Sequence, residues 1–316
     1  MLPANSILLN KSFPLIALMI FLYNKFKRQI LFIQTIMSAI ISMFIPMITL
    51  YNKFKIYPSY FRTHIDDIEE LIKEQKDRSS RHSVKLYLIR HAESEMNVNN
   101  HIVCGRSPPT PLSERGQDQA HALGKRLERE NIKFDTIYCS NTIRAFDTAS
   151  IASQYIEYDP IDIMILPEIT EMSQGGVEGK DRKDVYTKDT LDKINNDLWN
   201  FKHPGKSLSG DPGESIRDVE NRVKKFIEKR IFVDKTNHII SQKIKTKIPV
   251  VAVFAHSNTI KAFLRCIQAS HVDGVVKNSI DNTSITEVFY DASSDSNMCG
   301  WIIKRVNDAG HIINLK

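Results

Sequence analysis

The sequence predicts an α/β fold: a three-layer α/β/α sandwich with a mostly parallel sheet, preceded by an apolar N-terminal helical segment. From residue 84 onward, apolar runs of strand length alternate with amphipathic helical patterns, which is typical of α/β domains. An apolar content of 42% and a charged content of 25% lie near globular averages and allow a sizeable core. The third observation is a long uncharged stretch close to the start of the chain.

The chain has 316 residues, which suggests one large domain, or one domain with an extension. We divide it into a basic apolar N-terminal segment (1–60), a polar connector (61–80) and an enzyme-like domain (81–316). The boundary near residue 80 follows the dipeptide Ser79-Ser80, which ends a short charged stretch.

The elements of the domain follow from periodicity. Short apolar runs indicate buried strands, and the run at 249–255 is the most apolar of them. Apolar residues at helical spacing indicate helices, most clearly at 216–227. In chain order we predict strand 84–89, helix 113–130, strand 134–139, helix 142–155, strand 161–166, helix 216–227, strand 249–255, helix 258–268, and strands 284–290 and 301–306.

The net charge of +6 belongs to the start of the chain. Residues 1–64 hold seven basic side chains and no acidic ones, which leaves 36 basic and 37 acidic residues for the rest. A nucleic-acid partner is therefore not expected, because it requires a basic face on the folded domain. The four cysteines show no CxxC spacing, which argues against a disulfide scaffold and a structural zinc site.

Residues 30–51 are 22 residues without a charge, about the length of a transmembrane helix. Basic residues flank both ends, so orientation does not follow from charge. The segment LYNKFK occurs at 22–27 and again at 50–55. We predict a membrane anchor and a membrane-anchored intracellular protein. The alternatives are an organellar targeting leader or a buried apolar helix, and a protein without a membrane span would be cytoplasmic.

Two histidines follow apolar strands: His91 and His256. Ligands of α/β sheets bind beyond the carboxyl ends of strands, so two histidines at such ends point to a site. Arg90 and Arg144 also lie at predicted strand ends. A guanidinium group matches phosphate oxygens, and a neutral imidazole can act as a nucleophile.

Phosphoryl transfer from an ester also needs a carboxyl group that protonates the leaving oxygen. Glu171 is the leading candidate, and Glu168 is its nearest rival. Together, the two histidines, the two arginines and one carboxyl group predict a compact electropositive pocket.

These residues belong to ordered motifs that resemble the histidine phosphatase superfamily, which has the phosphoglycerate mutase-like fold. The resemblance extends from about residue 85 to about residue 315. It is carried by LxRHxE (88–93) with Asn97, GRSxxTPLSxxG (105–116), SxxxRAxxTA (140–149), ExxxGxxEG (171–179), GES (213–215), the apolar strand before His256, and NTS (282–284).

The resemblance implies a role for each matching residue. His91 would become the phosphohistidine, Glu171 would be the general acid and then the base, and His256 would complete the catalytic set. The residues that would bind substrate are Arg90, Asn97, Gly105, Arg144 and Ser257. Arginine and histidine supply the positive charge, so the resemblance implies no metal and no cofactor.

We therefore predict a phosphomonoester hydrolase that acts on a phosphorylated small molecule or a phosphoprotein. One alternative is phosphoglycerate mutase-type phosphoryl transfer. It is disfavoured because residues 175–186, GGVEGKDRKDVY, do not resemble the substrate-binding stretch of the mutases. Another alternative is a membrane-tethered interaction module that binds phosphate without turnover.

Overall fold

The domain is built on one six-stranded mixed sheet with the order β3-β2-β4-β1-β5-β6. The computed structural model describes residues 82–106, 110–232, 248–268, 279–292 and 300–315. Only β5 runs against its neighbours, so the sheet is mostly parallel. The strands are β1 (Val84–Arg90), β2 (Thr136–Ser140), β3 (Met164–Leu166), β4 (Val250–Ala255), β5 (Ile285–Asp291) and β6 (Gly300–Asp308).

Seven α-helices are present among the described residues. They are α1 (Glu95–Val98), α2 (Glu114–Arg129), α3 (Ile143–Ser153), α4 (Arg182–Val185), α5 (Lys188–Asn196), α6 (Ile216–Phe226) and α7 (Ser257–Gln268). A π-helical extension, Ile227–Phe232, continues α6. Four 3-10 turns are Pro160–Asp162, Pro167–Ile169, Gly175–Val177 and Gly310–Ile312.

Successive side chains of the central strands enter two separate cores, as the period of two in a strand requires. On β1, Leu86 and Leu88 pack on the face that α6 and α7 cover. Tyr87 and Ile89 point to the other face, which α2 and α3 cover. Helices therefore flank both faces of the sheet, and the predicted α/β fold with a mostly parallel sheet is confirmed.

The start of α6 shows how sequence sets a helix boundary. The Ser215 hydroxyl accepts a hydrogen bond from the Asp218 N–H, and the Asp218 carboxylate accepts one from the Ser215 N–H. This reciprocal cap satisfies donors that a helix N-terminus otherwise leaves unpaired. Behind it, Val219, Val223 and Phe226 are buried in the core.

Two predictions differ from the structure in detail. The strand predicted at 161–166 is shorter, because residues 160–162 form a 3-10 turn and Ile161 is 85% exposed. Helix α5 was not predicted, since its sequence, KDTLDKINN, has only two apolar residues and none of its side chains is buried.

The predictions for residues 1–60 and 61–80 lie outside the described residues and stay predictions. Within the described part of the chain, no helix combines the length and the apolar character that a bilayer crossing needs.

The C-terminal turn is attached to the domain through His311. Its Nδ1 accepts a hydrogen bond from Arg126 Nη1 at 3.2 Å, and its Nε2 lies 3.0 Å from Thr283 Oγ1. Burial, followed by the charge of Arg126, lowers the pKa of His311 to about 4. In the unfolded chain the His311 imidazole takes up a proton near pH 6.5, whereas in the folded chain it does so only near pH 4. The folded state therefore loses stability as the pH falls from about 6.5 towards 4.

We expect His311→Gln to lose less stability than the parent between pH 6.5 and pH 4. Allowing for partial solvent screening, the difference amounts to about 1–2 kcal/mol. Thermal unfolding across this pH range measures it. The matched control is His101→Gln, at an exposed histidine, and an equal acid slope in both variants would contradict the assignment.

Candidate active site

Two buried histidines meet at the carboxyl end of the sheet. Strands β1 and β4 pair in parallel, with Arg90 opposite Ala255, so the residues that follow them lie side by side. The ring centroids of His91 and His256 are 5.0 Å apart. Their exposed fractions are only 4% and 0%. The sequence prediction that both follow strands at one edge is therefore met by the structure.

The hydrogen bonds of His91 define which nitrogen carries the proton. Nδ1 lies 2.6 Å from the carbonyl oxygen of Ala92, so it donates. Nε2 then keeps its lone pair and accepts from Arg144 Nε at 3.3 Å. Burial, then the charges of Arg144 and Arg90, hold the pKa of His91 well below its ordinary value. The imidazole is thus neutral near pH 7, with Nε2 as its basic atom.

Arg144 joins the two histidines. It lies in the first turn of α3 and is only 2% exposed. Its Nη2 donates to the Gly105 carbonyl at 3.0 Å and lies 3.5 Å from His256 Nδ1. Burial lowers the pKa of its guanidinium group, but arginine stays protonated in proteins. A fixed positive charge therefore stands between the two rings.

Gly105 occupies a position that only glycine fits. Its φ is +130°, and a Cβ atom there would lie 2.3 Å from Glu178 Oε1. The sequence prediction placed Gly105 in substrate binding. The contact that the structure shows is the hydrogen bond that the Gly105 carbonyl accepts from Arg144, so Gly105 orients a guanidinium group.

His256 is held by hydroxyl groups from the neighbouring strand end. Its Nε2 lies 2.8 Å from Ser140 Oγ and 3.4 Å from Thr142 Oγ1. Burial and then the Arg144 charge hold the pKa of His256 well below its ordinary value. Ser140 belongs to the motif SxxxRAxxTA, but no sequence pattern indicates that it supports His256.

Arg90 is the last residue of β1, and only part of its guanidinium group is hydrogen-bonded among the described residues. Nη1 donates to the Ile280 carbonyl at 2.6 Å. Nε is buried and has no hydrogen-bond partner among the described residues. Since buried N–H groups are nearly always paired, this donor is suited to a ligand oxygen.

Glu171 brings a carboxyl group to the cluster. Burial lowers the pKa of both Arg90 and Arg144, and the negative charge of Glu171 acts to raise it, so the carboxylate lies close enough to interact with both guanidinium groups. Oε1 accepts from the Met172 N–H at 2.7 Å, and Oε2 accepts from the Asn258 N–H at 3.4 Å. The second bond comes from the first turn of α7, so a helix N-terminus faces the carboxylate.

A clamp of three charged residues holds the backbone of Glu171. Arg106 Nε and Arg222 Nη2 both donate to the Glu171 carbonyl, at 3.0 and 3.1 Å. Glu214 pairs with both arginines, at 2.8 Å from Arg106 Nη2 and 3.0 Å from Arg222 Nε. Its other oxygen accepts from the Ser173 N–H at 3.1 Å. Sequence reasoning missed this clamp, although Glu214 lies in the quoted GES motif.

Three other residues considered for the site from the sequence, Asn97, Ser257 and Glu168, have no contact with the two histidine rings among the hydrogen bonds of the described residues. The Asn97 Oδ1 accepts from the Ser94 N–H at 3.1 Å, and Asn282 Nδ2 is 3.4 Å away, so this oxygen supports local structure. Ser257 is half-buried and begins α7 directly after His256. Glu168, the rival of Glu171, pairs with Arg230 at 3.4 Å, and its bonds do not involve the histidine cluster.

The cluster combines a neutral nucleophilic nitrogen, two guanidinium groups, a second imidazole and a carboxyl group. Fixed positive charge of this kind stabilises a transferring phosphoryl group. No group of three or more His, Cys, Asp or Glu side chains within the described ranges is placed to hold a metal ion.

Comparison with known proteins identifies relatives of the same architecture. A family model described as the histidine phosphatase superfamily (branch 1) matches residues 86–308. A 2,3-bisphosphoglycerate-dependent phosphoglycerate mutase from Bartonella henselae is 26% identical over 211 residues, which cover 67% of this chain and 93% of that protein.

Two solved structures show the same fold. A phosphoglycerate mutase from Bacillus anthracis has a TM-score of 0.55 at 23% identity, covering 74% of this chain and 97% of the other. A phosphoserine phosphatase from Entamoeba histolytica has a TM-score of 0.54 at 18% identity, covering 73% and 100%. The family thus includes both mutases and phosphatases.

Proposed function

Because the chain belongs to the histidine phosphatase superfamily (branch 1), we propose that it is a phosphomonoester hydrolase that works through a phosphohistidine on His91. The observation that carries this proposal is the state of one ring. The His91 Nδ1 proton is committed to the Ala92 carbonyl, so Nε2 presents a lone pair beside Arg144.

In the first half-reaction, His91 Nε2 attacks phosphorus and the bond from phosphorus to the ester oxygen breaks. Arg90 and Arg144 offset the charge of the phosphoryl oxygens, and the neutral ring of His256 lies beside them. Glu171 gives its proton to the departing alcohol oxygen. The products of this step are the free alcohol and the phosphorylated imidazole.

In the second half-reaction, the Glu171 carboxylate takes a proton from water as the water oxygen attacks phosphorus. The bond from phosphorus to Nε2 breaks, inorganic phosphate leaves and His91 returns to its starting tautomer. The two half-reactions use the side chains of the cluster and one water molecule. Phosphorylated small molecules are the substrate class typical of the family.

The experiment that tests this function varies the leaving group. We expect Glu171→Gln to slow hydrolysis of ethyl phosphate by about 10²-fold or more, because an alkoxide needs a proton to leave. The kcat/KM for p-nitrophenyl phosphate should fall much less, since its phenolate leaves without one. The quantity to compare is kcat/KM, because it reports the steps up to release of the alcohol or phenol and excludes the later hydrolysis of the phosphohistidine, in which Glu171 is the base.

The matched control is Glu168→Gln, at the carboxyl group that pairs with Arg230. It should change neither rate by more than a few-fold. An equal loss for both esters in Glu171→Gln would contradict the role of general acid.

The mutase alternative is separated in the same assay. Conversion of 3-phosphoglycerate to its 2-isomer, in place of phosphate release, would favour phosphoryl transfer between two positions of one substrate. A protein that binds inorganic phosphate but turns over none of these esters would instead be an interaction module.

A further inference from the structure

A cavity of about 190 Å³ lies next to Glu171, on the side of α6 and α7. Its wall is largely apolar. The apolar residues that dominate it are Met172, Tyr186, Ile194, Leu198, Phe201 and Ile216. Three of them, Ile194, Leu198 and Phe201, come from α5 and the segment that follows it, for which the sequence predicted no role.

The cavity begins where the leaving oxygen must be protonated. Met172 directly follows Glu171, and Asn258 donates its backbone N–H to Glu171 Oε2. Both residues contribute to the wall. Lys261, also in the wall, lies within electrostatic range of Glu171 and Arg90. One end of the cavity therefore adjoins the carboxyl group that would protonate the leaving oxygen.

Two of the basic groups in the wall are already engaged. The guanidinium group of Arg265 pairs with Glu220 and lies 4.0 Å from the ring centroid of Trp199. His203 packs edge-on against Phe201, with ring centroids 5.0 Å apart, and burial lowers its pKa. Neither group is arranged to pair with an anionic substrate, and Lys261 interacts with Glu171 and Arg90. Away from Glu171 the wall therefore favours uncharged, apolar atoms.

We propose that this cavity binds the alcohol half of the substrate, and that the substrates are phosphomonoesters of alcohols that carry an apolar group about the size of one aromatic ring. The inference rests on the proposed hydrolase function. Its size limit follows from volume, since an apolar cavity of about 150 Å³ accommodates benzene.

The test compares two esters whose leaving alcohols have similar basicity, 2-phenylethyl phosphate and ethyl phosphate, on the full-length chain. Burial of the phenyl ring should raise kcat/KM for the first ester at least about tenfold over the second. Matching the leaving groups removes the intrinsic advantage that aryl phosphates have in any phosphatase.

A pair of variants on one helix assigns the preference to this cavity. Ile194 lines it, whereas Leu191, one turn earlier on α5, is 44% exposed and does not. Ile194→Gln should lower the selectivity ratio roughly fivefold through lost apolar contact, and Leu191→Gln should leave it unchanged. Leu198→Asn, outside α5, gives a second reading at another wall position and should also lower the ratio.

Each outcome decides the matter. Hydrolysis of both esters with equal kcat/KM would overturn the inference and leave the hydrolase function standing. A preference for the phenylethyl ester that neither Ile194→Gln nor Leu198→Asn reduces would show that the ring binds elsewhere. Hydrolysis of neither ester by the parent chain, with p-nitrophenyl phosphate also untouched, would overturn the hydrolase function together with the inference.

Discussion

Replacing His91 with alanine is expected to reduce phosphomonoester hydrolysis by at least about 10⁴-fold, since loss of a covalent nucleophile removes the reaction path itself. The effect should appear in kcat, because Arg90 and Arg144 remain to bind the phosphoryl group. The neighbouring ring of His256 is held in its own position by the contact of its Nε2 with Ser140, 2.8 Å away, so we do not expect it to replace His91.

Two measurements check this result. Steady-state phosphate release gives the rate, and rapid quenching with ³²P-labelled ester gives the covalent intermediate, which His91→Ala should not form. His121→Ala is the matched control. That half-buried histidine, on α2, bonds to the Tyr155 hydroxyl at 2.9 Å, away from the cluster. Labelled protein in His91→Ala at the parent level would refute the assignment of the nucleophile.

Arg144→Lys is expected to lower kcat/KM by about 10²–10³-fold although it keeps the positive charge. The guanidinium group contacts three separate partners, which are His91 Nε2, His256 Nδ1 and the Gly105 carbonyl. A single ammonium group on a flexible stem cannot keep these contacts and also present two donors to a phosphoryl oxygen.

The control for this substitution is Arg126→Lys, at another buried arginine that pairs with Asp308 at 2.5 Å. It should lower the melting temperature and leave kcat/KM within a few-fold of the parent. If Arg144→Lys retained the parent kcat/KM, charge alone would suffice and the fixed geometry would have no catalytic role.

The sequence predicted those parts of the site that depend on residue type and strand ends. His91 and His256 follow the two most recognisable apolar strands, and pairing of those strands brings the rings together. Arg144 was predicted at the start of a helix after β2, where it lies. Such features are local, so one chain segment is enough to reveal them.

What the sequence did not reveal depends on contacts between distant segments. The clamp of Arg106, Glu214 and Arg222 acts on a backbone carbonyl, which no side-chain pattern displays. Asn97 was assigned to phosphate, but its Oδ1 bonds to Ser94 and lies near Asn282, a neighbour that only the folded chain provides. The wall of the cavity combines residues from α5, α6 and α7 with residues from loop segments.

The clamp grips the main chain at residue 171, and every amino acid offers that same carbonyl. The loop is therefore held by two hydrogen bonds that no substitution at this position removes. Removing the carboxyl group at residue 171 should therefore abolish proton donation and leave these two main-chain bonds intact, which separates the chemistry of this position from its architecture.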